Sequence, residues 1–257
     1  MIEDLKQYLV SSVVAIRYRQ NFSIVDKFGT IIDEILYDKK TFFKPEDFQF
    51  VQHTKADEKV LFNKDNRNNL KINTSNIILE INIDEENDPD YKKNAFNAFD
   101  KQIVQGVLKK NKIVQINRIG YINRYVFPIK ELAENFINKT IGSTIDNVRD
   151  INLRFSRKYP IAEAQVKKEV YDYHNSIYNA IKQSDKDEIF FSVDFQRYFD
   201  PFLESSSLIE FSQFCNHVEH HNEKIFLPWI NDNYKVIKWA EKIIQEKTNT
   251  RSNTIIV

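Results

Sequence analysis

The sequence predicts an α+β protein built of two pseudo-repeated halves, each an antiparallel sheet packed on helices. Short stretches in which apolar and polar residues alternate, as in half-buried strands, are separated by stretches with apolar residues at helical spacing. The order strand, helix, strands, helix occurs twice. At 257 residues the chain can bury a substantial core. We expect an N-terminal half over residues 1–145, a C-terminal half over 146–246 and a flexible tail over 247–257.

The N-terminal half begins with a strand over residues 14–19, where Val, Ile and Tyr alternate with Ala and Arg. A helix is predicted from about 24 to 37. The second clear strand covers 77–84, with four apolar side chains on one face and polar ones on the other. Apolar residues then recur at helical spacing over 96–107. A further strand is expected soon after Lys112.

The C-terminal half repeats this order. Residues 151–156 alternate as a strand, a helix is predicted over 162–181, and 191–195 form another strand. Ser207 and Glu210 have the spacing of a capping box, in which each side chain satisfies a free amide at a helix start. We therefore expect a final helix to begin there.

The segment Arg118-Ile-Gly-Tyr-Ile-Asn-Arg124 is a strand-like run whose polar residues are not explained by burial alone. The residues that face the core change phase between Arg118 and Gly120, which predicts a β-bulge there. Gly120 can adopt the backbone angles that a bulge needs. We expect Tyr121, Asn123 and Arg124 to lie beside the bulge, with Asn123 or Arg124 hydrogen-bonded across to the other half. The simpler alternative is an edge strand with a solvated arginine.

This segment also carries a resemblance. Tyr121-Ile-Asn-Arg124, followed by Phe191-Ser-Val-Asp194 and a Phe-rich helix with histidines, resembles an uncharacterised, sporadically distributed bacterial family of about 250-residue proteins with a Tyr-Ile-Asn-Arg signature. Its members carry Gly-Leu-Arg-Tyr-Ile-Asn-Arg, whereas Gly120 here replaces the Arg before the Tyr. The resemblance implies no activity; its scattered occurrence is similar to that of accessory genes such as defence and toxin systems.

The composition excludes several classes of function. The chain has 37 basic and 37 acidic residues, so no net field draws it to nucleic acid or to an anionic membrane. The single Cys215 excludes an internal disulfide and fits a reducing cytoplasm. Four glycines provide neither a P-loop nor a dinucleotide-binding motif. We expect no signal peptide, no membrane span and no cofactor.

His217-Val-Glu-His-His221 is the strongest metal-like cluster in the sequence. His217 and His221 share a helix face at a spacing that lets two imidazoles reach one ion. It is not the His-Glu-x-x-His motif, because Val218 stands where that motif has its general base. Alternatively, His221 is a hydrogen-bonded core histidine, since it continues the apolar stripe of Phe214 and Val218, and the other histidines are solvated.

The acidic run at residues 84–90 offers a second, weaker metal hypothesis. Its carboxylates could bind a divalent cation, but Pro89 stands where a calcium loop needs glycine. An acidic loop that stabilises the start of the following helix explains the run more simply.

Arginines on predicted strands indicate a ligand site. If they converge on one concave face, they would form a pocket for an anion or nucleotide, with tyrosines available for stacking. Alternatively, they face water. The candidate ligand-binding residues are Arg17, Arg19, Arg118, Tyr121, Asn123, Arg124 and Arg154.

Three functions follow as hypotheses. The first is a non-catalytic, cytoplasmic bacterial sensor, adaptor or antitoxin-like subunit that assembles with a protein encoded nearby or with itself, as in antiphage defence or toxin–antitoxin systems. It rests on the lack of a complete catalytic constellation, the aromatic content and the apolar tail Thr254-Ile-Ile-Val257. The second is a metal-dependent hydrolase or nuclease that uses His217 and His221 with Asp194 or the acidic run. The third is a sensor of anions or nucleotides.

Overall fold

A computed structural model describes ten stretches of the chain. They are residues 5–37, 43–50, 55–63, 68–83, 91–111, 115–127, 151–160, 173–182, 188–203 and 211–228. The acidic run at 84–90, the capping box at 207–210 and the tail at 247–257 lie outside the described residues.

The described strands form one antiparallel sheet of nine strands. They are β1 (Leu9–Tyr18), β2 (Phe48–Phe50), β3 (Glu58–Asn63), β4 (Asn68–Asn73), β5 (Asn76–Asn82), β6 (Ile116–Phe127), β7 (Ile151–Pro160), β8 (Tyr173–Lys182) and β9 (Ile189–Leu203). Their order across the sheet is β2-β3-β4-β5-β1-β6-β9-β8-β7. The long strand β6 therefore lies in the interior of the sheet, between β1 and β9.

Helices accompany this sheet. They are α1 (Ser23–Asp26), α2 (Phe28–Leu36), α3 (Tyr91–Ala98), which continues as the π-helical segment Phe99–Leu108, and α4 (Phe211–His221), which continues as the π-helical segment Asn222–Phe226. Single 3₁₀ turns occupy Leu5–Tyr8 and Pro45–Asp47. None of the described helices combines the length and the apolarity that crossing a membrane requires.

The core lies between one face of the sheet and α2, α3 and α4. Val14 and Ile16 of β1 are fully buried. They belong to the same apolar cluster as Ile31 of α2, Phe99 at the start of the π-helical segment after α3, and Phe214 of α4. Burying an aliphatic side chain of this size contributes about 1.5–3 kcal/mol. We call this the helix face of the sheet, and the side turned away from these helices the outer face.

The α+β class is confirmed, but two pseudo-repeated halves are not shown. Strands from residues 1–145 and from 146–246 join in one continuous sheet through the pairing of β6 with β9. The C-terminal strands follow one another as β7, β8 and β9 with direct antiparallel pairing between neighbours. Residues 161–172, where the repeat placed the first part of a helix, lie outside the described residues.

The predicted helix over 162–181 is wrong for its second part, because residues 173–182 form β8. This strand is hydrogen-bonded to β7 on one side and to β9 on the other. Its sequence contains Tyr, Ile and Asn, and Asn is a poor residue for a helix interior. Pairing with two long neighbours therefore decides its structure. The other predicted strands and the helices expected over 24–37 and 96–107 are confirmed. The final helix, expected to begin at Ser207, is confirmed over Phe211–His221, and its predicted start lies outside the described residues.

The predicted phase change in β6 exists, at a slightly different place. Against β1 the pairing shifts register between Ile116 and Arg118, so Asn117 is the extra residue. Against β9 it also shifts there, but the additional residues lie on β9, between Tyr198 and Leu203. Gly120 is regularly paired with Ala15 and Gln196, and its predicted role in the bulge is wrong. The shift is needed because Ile116 and Ile119 are both fully buried, although they are three residues apart.

Candidate functional site

The alternation of β6 divides the candidate ligand-binding residues between the two faces of the sheet. Tyr121 and Asn123 are fully buried on the helix face. Arg118 and Arg124 lie on the outer face, directly opposite Arg17 and Ser11 of β1. The predicted set is thus not one constellation: Arg17, Arg118 and Arg124 lie on the outer face, only Arg17 and Arg118 directly opposite each other, and Tyr121 and Asn123 lie on the helix face.

Tyr121 connects the sheet to two helices. Its hydroxyl donates a hydrogen bond to the Glu219 carboxylate of α4, and Lys92 Nζ of α3 lies 2.8 Å from Glu219 Oε1. The ammonium also lies 5.3 Å from the centre of the Tyr121 ring. Burial and the nearby Glu219 carboxylate raise the pKa of Tyr121 well above its usual value. The phenol therefore stays protonated and acts as a donor that holds the helices to β6.

Asn123 and Arg124 are both bonded to neighbouring strands. The Ser12 hydroxyl donates to Asn123 Oδ1 over 2.5 Å in the buried interior. On the outer face Arg124 forms an ion pair with Glu80 of β5 and donates to Ser11 Oγ over 3.2 Å. Among the described residues these bonds lead to β1 and β5, both within residues 1–145. The predicted hydrogen bond to the C-terminal half is therefore not found there.

A chain of hydrogen bonds runs along β9 on the outer face. The Arg118 guanidinium donates to the Tyr198 hydroxyl over 3.4 Å and lies 5.7 Å from the centre of the Tyr198 ring. The Tyr198 hydroxyl donates to Gln196 Oε1 over 2.5 Å. Gln196 Nε2 in turn donates to Asp194 Oδ2 over 2.6 Å. These contacts hold a guanidinium and a carboxylate at the two ends of one ordered array.

The Asp194 carboxylate lies in an unusual electrostatic environment. Burial raises its pKa above the usual aspartate value, although the Gln196 hydrogen bond and the charges of Arg118 and Arg154 act in the opposite direction. The folded protein therefore disfavours the ionised form of this carboxyl, and such shifted pKa values are common at functional sites. Arg154 reaches this environment from β7, two strands away from β9.

Arg17 and Arg118 form a like-charged pair. They are directly opposite each other on the outer face of the adjacent strands β1 and β6. Like charges in this position destabilise a sheet, so the arrangement invites an anion between them. Arg17 is exposed to solvent and Arg118 is half-buried. Arg19 lies beyond the end of β1 and donates to Gln115 Oε1 over 3.1 Å.

The two histidines of the metal hypothesis lie beside one phenylalanine. The His221 ring is buried, with its centre 4.9 Å from that of Phe195, and the His217 ring lies 5.6 Å from the same side chain. No group of three or more His, Cys, Asp or Glu side chains that could hold a metal ion occurs within the part of the chain that the structure describes. The burial of His221 agrees with the core-histidine alternative, and metal binding stays a prediction.

Cys215 lies on α4 near Glu219 and Asp100. Burial and these two carboxylates raise the pKa of its thiol far above the usual range. The thiol is therefore protonated and unsuited to act as a nucleophile.

Sequence reasoning missed Gln196 and Tyr198. Asp194, Gln196 and Tyr198 follow one another at a spacing of two residues, which places all three on one face of a strand. The sequence could therefore have predicted that they lie together. That β9 lies next to β6 could not be predicted, because the two strands are distant in sequence.

No protein-family model matches the sequence, and no curated protein matches it. The family resemblance therefore stays a prediction.

The cost of the Asp194 charge generates a testable prediction. Because the folded state raises the pKa of this carboxyl, the fold binds the proton more tightly than the unfolded chain does, and ionisation lowers stability. Asp194→Asn should therefore melt at a higher temperature than the wild type at pH 7. The difference should shrink as the pH falls through the raised pKa of the folded state, and it should vanish below the ordinary aspartate pKa of the unfolded chain. Thermal melts from pH 7 to pH 3 measure it.

Asp33→Asn on the exposed side of α2 is the matched control, with an expected change of at most about 0.5 kcal/mol. A lower melting temperature for Asp194→Asn at pH 7 would mean that Arg118 and Arg154 more than compensate the burial of the charge, which contradicts our interpretation.

Proposed function

We propose that the protein is a non-catalytic sensor that binds a small anionic ligand on the outer face of its sheet. The proposal rests mainly on the like-charged pair of Arg17 and Arg118, which lie directly opposite each other on adjacent strands. An anion between two guanidiniums would turn a destabilising contact into two charge-assisted hydrogen bonds. Arginine suits this role because its planar fork matches the geometry of phosphate and carboxylate groups.

The charges on the outer face support this proposal. Two basic side chains there already have carboxylate partners: Lys71 lies 2.5 Å from Glu58, and Arg124 pairs with Glu80. Arg17, Arg118 and Arg154 are three further cations of the outer face: the charges of Arg118 and Arg154 act on the Asp194 carboxylate, and Arg17 lies opposite Arg118. This local excess of positive charge exists although the whole chain is neutral.

The ligand would also connect the two proposed halves of the chain. Arg17 and Arg118 belong to residues 1–145, whereas Tyr198, which the Arg118 guanidinium contacts, belongs to 146–246. An anion held by Arg118 would therefore lie beside the β6–β9 pairing. Binding would therefore stabilise the sheet as a whole, which is a means of passing the signal on to a partner. We propose a bacterial cytoplasm as the setting.

Inorganic pyrophosphate is a suitable first probe. At ten times its dissociation constant, a ligand of the folded state adds about 1.4 kcal/mol, which corresponds to a rise in melting temperature of about 3–5 °C. We expect this rise for the wild type at constant ionic strength and its loss in Arg118→Gln. Differential scanning fluorimetry with NaCl-matched buffers measures both.

Arg19→Gln is the control, because Arg19 is an exposed arginine beyond the end of β1 and should keep the full shift. Equal shifts in wild type and Arg118→Gln, or no shift in the wild type, would refute the site.

Assembly with a partner protein is a second candidate, favoured by the edge of the sheet. Among the described strands β7 pairs with β8 alone, so ten residues from Ile151 to Pro160 have a second edge without a described neighbour. A long edge strand can receive an extended segment of another chain, as in strand addition. The partner would be a protein encoded nearby or a second copy, as in defence or toxin–antitoxin systems.

Purification from cells that express the neighbouring genes tests this candidate. We expect a stoichiometric complex in size-exclusion chromatography with light scattering. A chain that stays monomeric with every neighbouring gene product would exclude it.

A further inference from the structure

Gly120 is an unexplained glycine in the interior of the sheet. It is paired with Ala15 of β1 on one side and with Gln196 of β9 on the other. Its φ lies outside the left-handed region, and a Cβ built on it would meet no atom within 4 Å. Neither backbone conformation nor crowding therefore requires glycine here. Since glycine weakens a strand interior, its presence indicates that something approaches the backbone closely.

The surroundings of Gly120 are chemically different on its two sides. On the outer face, one neighbouring row has Val13 opposite Ile122 at its centre, with Glu80 of β5 beyond Val13 and Asp194 of β9 beyond Ile122. The row on the other side is the like-charged pair of Arg17 and Arg118. Each row is displaced from Gly120 by two residues along the strands, which is about 7 Å. A molecule that lies on Gly120 would thus contact the Ile122 side chain at one end and cations at the other.

We propose that Gly120 is the seat of a planar ring and that the ligand is a nucleotide-like molecule, with its ring flat on the backbone of β6 and its phosphate between Arg17 and Arg118. This inference rests on the proposed anion site and specifies the class of its ligand. The ring gains apolar contact with Ile122, and a side chain at position 120 would occupy its place. On the neighbouring strand β1, Ala15 lies opposite Gly120, and its side chain is a single methyl group that leaves room for the ring.

The distance between the two parts of the site fits such a ligand. Adjacent strands lie about 4.8 Å apart, so a ring system spans β6 and one neighbour. The step of about 7 Å along the strand to the arginines is comparable to the separation of base and phosphate in a mononucleotide. A free inorganic anion would use the arginines alone and leave the surface above Gly120 unused.

A pair of probes separates the ring from the phosphate. AMP and ribose 5-phosphate carry the same sugar phosphate, and only AMP has the base. We expect isothermal titration calorimetry to show that the wild type binds AMP about tenfold more tightly, the order expected for one stacked base. Gly120→Val should bind both probes alike, with an affinity for ribose 5-phosphate equal to that of the wild type. It should also melt no lower than the wild type, because valine is favoured in strands and the space is open.

Gly29→Val is the control, because Gly29 is also open to a Cβ but lies on α2, away from the outer face. It should leave both affinities unchanged. Equal affinity of the wild type for AMP and ribose 5-phosphate, or an unchanged AMP preference in Gly120→Val, would overturn the ring seat while the anion site stands. Binding of neither probe to the wild type would overturn both.

Discussion

The pairing of β6 on both sides is the constraint on which the rest of the structure depends. This strand is hydrogen-bonded to β1 along one edge and to β9 along the other, without irregularity from Arg118 to Arg124. Through it the N-terminal and C-terminal strands become one sheet instead of two. Because side chains alternate between faces, this register also decides which residues enter the core and which line the outer face.

Contacts on the helix face hold that register. Tyr121 reaches Glu219 and, through it, Lys92, so β6 is connected to both α3 and α4. The buried bond between Ser12 and Asn123 lies one row further along the sheet. A slip of one residue would bring Arg124 into the apolar interior, and an unpaired charge there is very costly. The buried polar contacts of β6 thus place the arginines outside, where a ligand can reach them.

The sequence predicted local structure better than long-range structure. Alternation located most strands, and the change of phase near Arg118 located the register shift to within about two residues. The helix expected over 162–181 failed for 173–182, because the pairing of β8 with β7 and β9 overrides local preference. The neighbours of Arg118 depend on which strands pair with β6. The spacing of residues along the sequence therefore could not predict that Arg17 lies opposite Arg118. Gly120 drew attention for its backbone freedom, whereas the structure shows ordinary pairing and open space.

Residue-resolved hydrogen exchange of the native protein tests the role of β6 most directly. If β6 holds the sheet together, its amides from Ile119 to Tyr125 exchange only when the whole protein unfolds. Their opening free energy then equals the global free energy of unfolding from denaturant titration. The amides of the edge strand β7 should open at lower free energy. Exchange of the β6 amides through local openings well below the global value, at the level of β7, would contradict the account.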